Sequence, residues 1–189
     1  VCHLRGPLGA GTTQSALAYA FRARSGFDAV FWLDARNEVT LRFDLSRSID
    51  ELGLVARDEL GHRARLDVIV GWLDSHDRWL IIADGLAEFG PLKALLPPRI
   101  RGKILLTGHR DLGDASICVI DHGPLEDVAA CRFLEHRSQQ PDAAGRNALL
   151  SLLKGSTLPI YLGAAFCHST GTRLEDYGAR LAELLSVSD

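Results

Sequence analysis

The sequence is poor in several features that would point to particular classes of protein. Its 189 residues include no methionine and only three lysines, and the net charge is −3. Because nucleic-acid binding leaves a basic footprint, we expect no nucleic-acid partner. No apolar run reaches the roughly 18 residues that a membrane-spanning helix needs, and no signal peptide opens the chain. We therefore expect no membrane partner either.

Cysteine is scarce and scattered. The four cysteines stand singly in apolar stretches, with neither a CxxC pair nor metal-site spacing. This pattern predicts buried, reduced thiols in a cytoplasmic protein. By contrast, 47% of the residues are hydrophobic and 24% are charged, which is typical of a globular protein with a sizeable core. Since Val1 already lies in a predicted strand, we expect the chain to be a piece of a longer polypeptide. The cysteines are Cys2, Cys118, Cys131 and Cys167.

Five apolar runs of strand length alternate with helical patterns in the first part of the chain. Buried strands that alternate with helices predict an α/β fold with a parallel sheet flanked by helices. We expect the strand from Val1 to lie in the middle of this five-stranded sheet, with the strand at 79–84 beside it. The runs cover residues 1–5, 28–35, 78–85, 102–110 and 116–120.

The character of the sequence changes near residue 123. Four helical patterns follow with short turns between them, and no further strand is predicted. We therefore expect an α/β domain over 1–122 and a small helical lobe over 123–189. The helical patterns cover 125–137, 145–155, 158–169 and 173–185.

A glycine-rich turn joins the first strand to the first helix. It reads Gly6-Pro7-Leu8-Gly9-Ala10-Gly11-Thr12-Thr13-Gln14. This is the phosphate-binding loop G-x-x-x-x-G-K-[ST] with one departure, since Thr12 stands where the motif has lysine. In such a loop backbone N–H groups cradle phosphates, and the last hydroxyl, here that of Thr13, coordinates Mg²⁺. The alternative is a tight strand–helix connection that binds no ligand.

Two residues farther along suit the same chemistry. Asp84 ends the strand "LIIAD", where a nucleotide-binding domain carries the acid that holds Mg²⁺. The alternative role for this residue is a helix cap or a turn. Arg110 follows the fourth strand and is a candidate sensor of a γ-phosphate, the alternative being an ion pair with Asp111 or Asp114. Asp84 and Arg110 are also the candidates for any catalytic role.

With these segments in view, the chain resembles the NB-ARC domain of the STAND class of P-loop NTPases, the nucleotide-dependent switches of innate immune receptors and apoptosome proteins. The resemblance rests on "LRGPLGAGTTQSALAYAFRAR", "FDAVFWLDA", "WLIIADGLAE", "GKILLTGHR" and "LKGSTLPIYLGAAFCHSTGTRLEDY", in this order. In the family the proline of the last motif packs against the nucleotide, and Pro159 matches it. A first-turn helix proline is the alternative for Pro159.

The resemblance implies ADP or ATP with Mg²⁺ as the cofactor. It implies that 1–122 is the nucleotide-binding domain and 123–189 the lid of a cytoplasmic signal-transduction protein. The resemblance further implies an effector domain upstream and a repeat sensor downstream, with homo-oligomers as a further possibility. The implied metal ligands are Thr13 and Asp84. The implied nucleotide contacts are Gly6, Pro7, Leu8, Gly9, Ala10, Gly11, Thr12, Thr13, Gln14, Arg110 and Pro159.

Two departures from the family pattern bear on activity. Thr12 replaces the loop lysine, and Gly85 stands where hydrolysing members usually have a second acid or an amide. We therefore expect weak nucleotide binding and at most a very weak ATPase activity. The alternative is a pseudo-NTPase scaffold that keeps the fold for protein–protein interaction or oligomerisation and binds no nucleotide.

Overall fold

The computed structural model describes residues 1–54 and 60–186 and contains one five-stranded sheet. All neighbouring strands are parallel, and their order is β2-β3-β4-β1-β5. The predicted parallel α/β sheet is therefore confirmed. The strands are β1 (Cys2–Arg5), β2 (Ala29–Asp34), β3 (Trp79–Asp84), β4 (Lys103–Gly108) and β5 (Cys118–Asp121).

The predicted strand order is wrong both in its middle strand and in the pairing of β1 with β3. The middle strand is β4, and it separates β1 from β3, so the strand at 79–84 does not pair with the strand from Val1. Instead β1 pairs with β4 on one side and with β5 on the other. The reason is that apolar composition shows which segments are buried strands, whereas the crossover connections decide which strands become neighbours.

Helices cover the two faces of the sheet unequally. On one face the core is built by α2 (Glu38–Glu51), α3 (His62–Ser75) and α4 (Phe89–Lys93). On the other face Ala16 and Ala20 of α1 (Thr12–Ala23) pack against Leu80 and Ile82. A 3₁₀ turn (Arg24–Gly26) leads from α1 towards β2. Trp32 lies in an apolar run of the sequence, which suggests a core position, but the residue is 37% exposed.

Between residues 127 and 186 the structure has four helices: α5 (Asp127–Ser138), α6 (Ala143–Leu153), α7 (Thr157–Thr170) and α8 (Leu174–Ser186). These helices enclose a small core of their own, which includes Leu134, Leu149, Ile160 and Leu174. In the described part of the chain, no helix is long and apolar enough to cross a membrane.

Backbone contacts divide the chain into two compact units. The first comprises Val1–Pro7 and Thr12–His122, and the second comprises Leu8–Gly11 and Gly123–Asp189. The tip of the glycine-rich loop thus groups with the helices that follow the sheet. Leu8–Gly11 therefore belongs to the same compact unit as α5 to α8.

Candidate functional site

The predicted site residues of the first unit lie at the carboxyl edge of the sheet. β1, β3 and β4 run in parallel and end at Arg5, Asp84 and Gly108. The Gly6 N–H donates to the carbonyl of Gly108 at 3.0 Å, which fixes the start of the glycine-rich loop beside the end of β4. Ligands of open parallel sheets bind at this edge.

Asp84 is held there by two hydroxyl groups. The Thr13 hydroxyl donates to Asp84 Oδ1 at 2.8 Å, and the Thr107 hydroxyl donates to the same oxygen at 2.5 Å. Thr107 Oγ1 in turn accepts the Gly85 N–H at 2.9 Å. Because the other carboxylate oxygen of Asp84 has no hydrogen-bond partner among the described residues, it is available to a ligand.

These oxygens fit a magnesium ion. Carboxylate and hydroxyl oxygens are the hard ligands that Mg²⁺ takes, usually one or two from the protein with water and phosphate oxygens completing the octahedron. Thr13 and Asp84 lie close enough to share one ion. No group of three or more His, Cys, Asp or Glu residues gathers to hold a metal within 1–54 and 60–186.

The glycine-rich loop leaves its backbone N–H groups open. Gly9 and Gly11 have φ angles of 82° and 98°, in the left-handed region that glycine adopts at low cost. The N–H groups of Leu8, Gly9, Ala10 and Gly11 donate no hydrogen bond to any described residue. A turn with successive free N–H groups beside a helix N-terminus is a concavity that accepts an anion. The loop backbone therefore fits phosphate.

The loop carbonyls, in contrast, are bonded to the first turn of α7 within the second unit. The Leu158 N–H donates to Gly9 O at 3.0 Å, and the Thr157 hydroxyl donates to Ala10 O at 2.9 Å. A Cβ added to Gly9 would lie 2.9 Å from the Cβ of Leu158, so the contact is close-packed. Pro159 is the next residue of α7 and is exposed. Sequence reasoning missed Thr157 and Leu158, which lie in the quoted "STLP" motif.

Two of the arginines at this edge are already paired. Arg5 donates to Asp121 at 2.7 Å and to Asp111 at 2.9 Å, and these bonds raise its pKa above the usual range. Arg36 donates to Asp34 at 2.5 and 2.9 Å. The pKa of Asp34 is accordingly lowered, mainly by this side-chain bond. Neither guanidinium is free to take the place of a loop lysine.

Arg110 is different. It is exposed and has no hydrogen bond or ion pair with any residue that the structure describes. Its two alternative partners are engaged elsewhere, since Asp111 binds Arg5 and Asp114 binds Lys93 at 3.3 Å. Hydrogen bonds from Ser116 lower the pKa of Asp114 to about 2. Arg110 therefore stands two residues beyond β4 as a cation available to a ligand.

Gly85 departs from the pattern of hydrolysing proteins for a local reason. Its φ angle is 78°, and a Cβ built on it would lie 2.7 Å from Cγ of Arg36. An acid or amide at this position would be strained and would have to displace Arg36. A side chain at this position would thus conflict with Arg36, which is paired with Asp34.

The remaining predicted residues of the loop differ in exposure. Gly6 and Ala10 are buried, whereas Thr12 is half-buried. Pro7, Leu8 and Gln14 are exposed, Leu8 to 86%. No lysine side chain replaces the one that Thr12 lacks, because the three lysines of the sequence stand at positions 93, 103 and 154.

The fold is that of the P-loop NTPases: a five-stranded parallel sheet flanked by helices, with a glycine-rich loop between β1 and α1. No protein-family model matches the chain, and no curated protein matches its sequence.

Among solved structures, the chain is similar to a chain of the Drosophila ORC bound to DNA, with a TM-score of 0.65 and 15% identity. It is also similar to a signal transduction ATPase with numerous domains (STAND), a protein with a tetratricopeptide repeat sensor from Pyrococcus horikoshii, with a TM-score of 0.50 and 17% identity. The alignments cover 98% and 82% of this chain, but 61% and 26% of the two neighbours. At these identities the likeness concerns the fold.

Proposed function

We propose that this chain is the ADP- or ATP-binding switch module of a multidomain signalling protein of the STAND/NB-ARC type, with weak or no ATP hydrolysis. The observation that carries the proposal is the juxtaposition of Thr13 and Asp84, 2.8 Å apart, at the base of a loop whose N–H groups are free.

Each group has a part in binding. The free N–H groups of Leu8–Gly11 bind phosphate oxygens, at the positive end of α1. Thr13 and Asp84 hold Mg²⁺, which neutralises phosphate charge when it is bound. Arg110 provides a cation that contacts the γ-phosphate, and it thereby distinguishes ATP from ADP. Pro159, beside the residues that contact the loop, is the proposed nucleotide contact of α7.

A switch requires a ligand that binds two arrangements with different affinity. The first turn of α7 is bonded to Gly9 O and Ala10 O, on the same peptides whose N–H groups would face the phosphates. Any shift of these peptides on phosphate binding therefore acts on Thr157 and Leu158. This supports α7 as the element that responds to the nucleotide.

Hydrolysis should be negligible. Phosphoryl transfer is catalysed almost entirely by positioning and charge stabilisation. This chain lacks the loop lysine at Thr12, and Gly85 provides no side chain to position water. The proposal therefore assigns Asp84 and Arg110 to binding and to sensing.

The wider setting follows from the same proposal. The STAND neighbour carries a repeat sensor, and the aligned region is 26% of that chain. We infer that the 1–122 nucleotide-binding domain and the 123–189 lid work with an effector upstream and a repeat sensor downstream, in a cytoplasmic receptor that can form homo-oligomers. Neither a membrane nor a nucleic acid is needed as a partner.

Calorimetry with MgADP tests the proposal on the wild type and on Thr12→Lys. A charge-assisted phosphate contact contributes about 2–4 kcal/mol, so the lysine variant should bind roughly 30- to 1,000-fold more tightly than the wild type. Thr12→Gln is the matched control, since it adds length without charge and should not tighten binding.

Two further measurements separate the switch from the scaffold. In the Thr12→Lys background, Asp84→Asn should weaken binding in the presence of Mg²⁺ and have little effect in EDTA. If Thr12→Lys binds MgADP no better than the wild type, the loop does not accept phosphate and the scaffold function is correct. The wild type should show no ATP turnover above background.

A further inference from the structure

Two cysteines lie side by side on neighbouring strands, outside the candidate nucleotide site. Cys2 begins β1 and Cys118 begins β5, and the two residues are register partners in the parallel pair. The Cys118 N–H donates to Val1 O at 3.1 Å, which fixes this register. Register partners in a parallel pair project their side chains from the same face of the sheet. Both thiols are free cysteines.

The general spacing of paired strands permits a disulfide between register partners. Adjacent strands are about 4.7–4.9 Å apart, within the range of about 4.4–6.8 Å that Cα atoms of a disulfide span. The two thiols interact: burial and then the Cys118 thiol raise the pKa of Cys2. Cys118 is exposed and Cys2 is half-buried, so one sulfur of the pair is accessible to a solute and the other is protected.

We propose that Cys2 and Cys118 are a dithiol site that closes reversibly to a disulfide between β1 and β5. The oxidant is a small disulfide such as oxidised glutathione. The Cys118 thiolate attacks one sulfur of that disulfide, and one glutathione leaves as a thiolate. The Cys2 thiolate then attacks the Cys118 sulfur and releases the second glutathione. Two thiols are oxidised, one disulfide is reduced to two thiols, and two protons pass from the protein thiols to the products.

The disulfide would act on an edge strand of the sheet. β5 has four residues, all exposed, and among the described residues it pairs with β1 alone. Its far end is held by the Arg5–Asp121 ion pair and by the His122 N–H, which donates to Arg5 O at 2.6 Å. A disulfide at the Cys2 end would add a covalent bond beside the hydrogen bond from the Cys118 N–H to Val1 O. Since β1 leads into the glycine-rich loop, the clamp would restrain the strand that carries it.

Mass spectrometry tests the pairing. The purified protein is incubated with oxidised glutathione, free thiols are blocked with N-ethylmaleimide, and peptides are mapped. The expected product is a Cys2–Cys118 linked peptide that dithiothreitol abolishes. Cys2→Ser should instead stop at a glutathione adduct on Cys118, because no second thiol is present to displace it. Cys131→Ser, which alters a cysteine outside the sheet, should form the same linked peptide as the wild type.

Hydrogen exchange measures the consequence. In the oxidised protein the amides of β5 should exchange on the order of tenfold more slowly than in the reduced protein, whereas the amides of α8 should not change. The proposal is overturned if wild-type Cys118 keeps a glutathione adduct as stably as Cys2→Ser does. It is equally overturned if Cys2 is recovered with maleimide after oxidation, or if β5 exchange is unchanged by a mapped disulfide.

Discussion

Substituting alanine for Gly9 should destabilise the second unit far more than an ordinary glycine substitution would. Gly9 has a φ angle of 82°, and holding a non-glycine residue in the left-handed region costs about 1–2 kcal/mol. The new Cβ would also lie 2.9 Å from the Cβ of Leu158 and 3.3 Å from its Cδ2, and overpacking of this kind costs about 1–3 kcal/mol. The expected loss in the free energy of unfolding is therefore about 2–5 kcal/mol.

Gly171→Ala is the matched control, because Gly171 has a φ angle of 70° and open space around its Cα. It should cost only the backbone strain, about 1–2 kcal/mol. Urea unfolding followed by far-UV circular dichroism measures both variants. In a double-mutant cycle, Leu158→Gly removes the clashing side chain and should recover about 1–3 kcal/mol from Gly9→Ala. Equal losses for Gly9→Ala and Gly171→Ala would refute the close approach of the loop to α7.

Two more predictions concern the first unit. His3 is fully buried with neither ring nitrogen hydrogen-bonded within the described chain, and burial followed by the charge of Arg5 lowers its pKa. The unfolded chain therefore binds the proton more tightly, and the free energy of unfolding should fall as the pH drops below about 6.5. Urea unfolding at pH 5.5 and 7.5 measures this difference, and His3→Leu should reduce it. Thr107→Val removes the acceptor of the Gly85 N–H and should cost about 1–3 kcal/mol, whereas Thr107→Ser, which keeps the hydroxyl, should cost less. A loss greater for Thr107→Ser than for Thr107→Val would mean that packing of the methyl group dominates.

The sequence predicts many of the strands and helices because their apolar residues form a recognisable pattern, continuous in a buried strand and periodic in a helix. β3, "WLIIAD", is a continuous buried run, and the buried residues Leu66, Ile69 and Leu73 of α3 recur at helical spacing. Strand order carries no such signal, and so β4, not β1, proved to be the middle strand. The position of a strand also decides the exposure of its residues. The predicted burial of Cys118 is wrong because β5 is an edge strand, exposed at all four residues.

The sequence likewise identifies some residues of the candidate site but not the contacts that hold them. A motif with fixed spacing identifies Thr13, and the end of an apolar strand identifies Asp84, so their proximity at one sheet edge can be expected from a parallel topology alone. Thr107 bonds Asp84 and Thr157 bonds Ala10 O, each through a single hydroxyl group. A hydroxyl in a strand or in a first helical turn is common, and nothing in its sequence neighbourhood says which distant oxygen it contacts. These hydroxyl contacts follow from the three-dimensional structure and not from the local sequence.

The missing lysine makes Arg110 the decisive cation of the proposed site. Arg5 and Arg36 cannot be recruited without leaving Asp121, Asp111 or Asp34 unpaired, whereas Arg110 has no described partner to lose. Arg110→Ala should thus abolish most of the difference in affinity between ATP and ADP in the wild type. In Thr12→Lys the same substitution should cost less, because the lysine would bridge the β- and γ-phosphates and share the charge. Calorimetry on the four proteins of this cycle measures the coupling, and an Arg110→Ala effect that is equal in both backgrounds would show that the two cations do not act on the same phosphate.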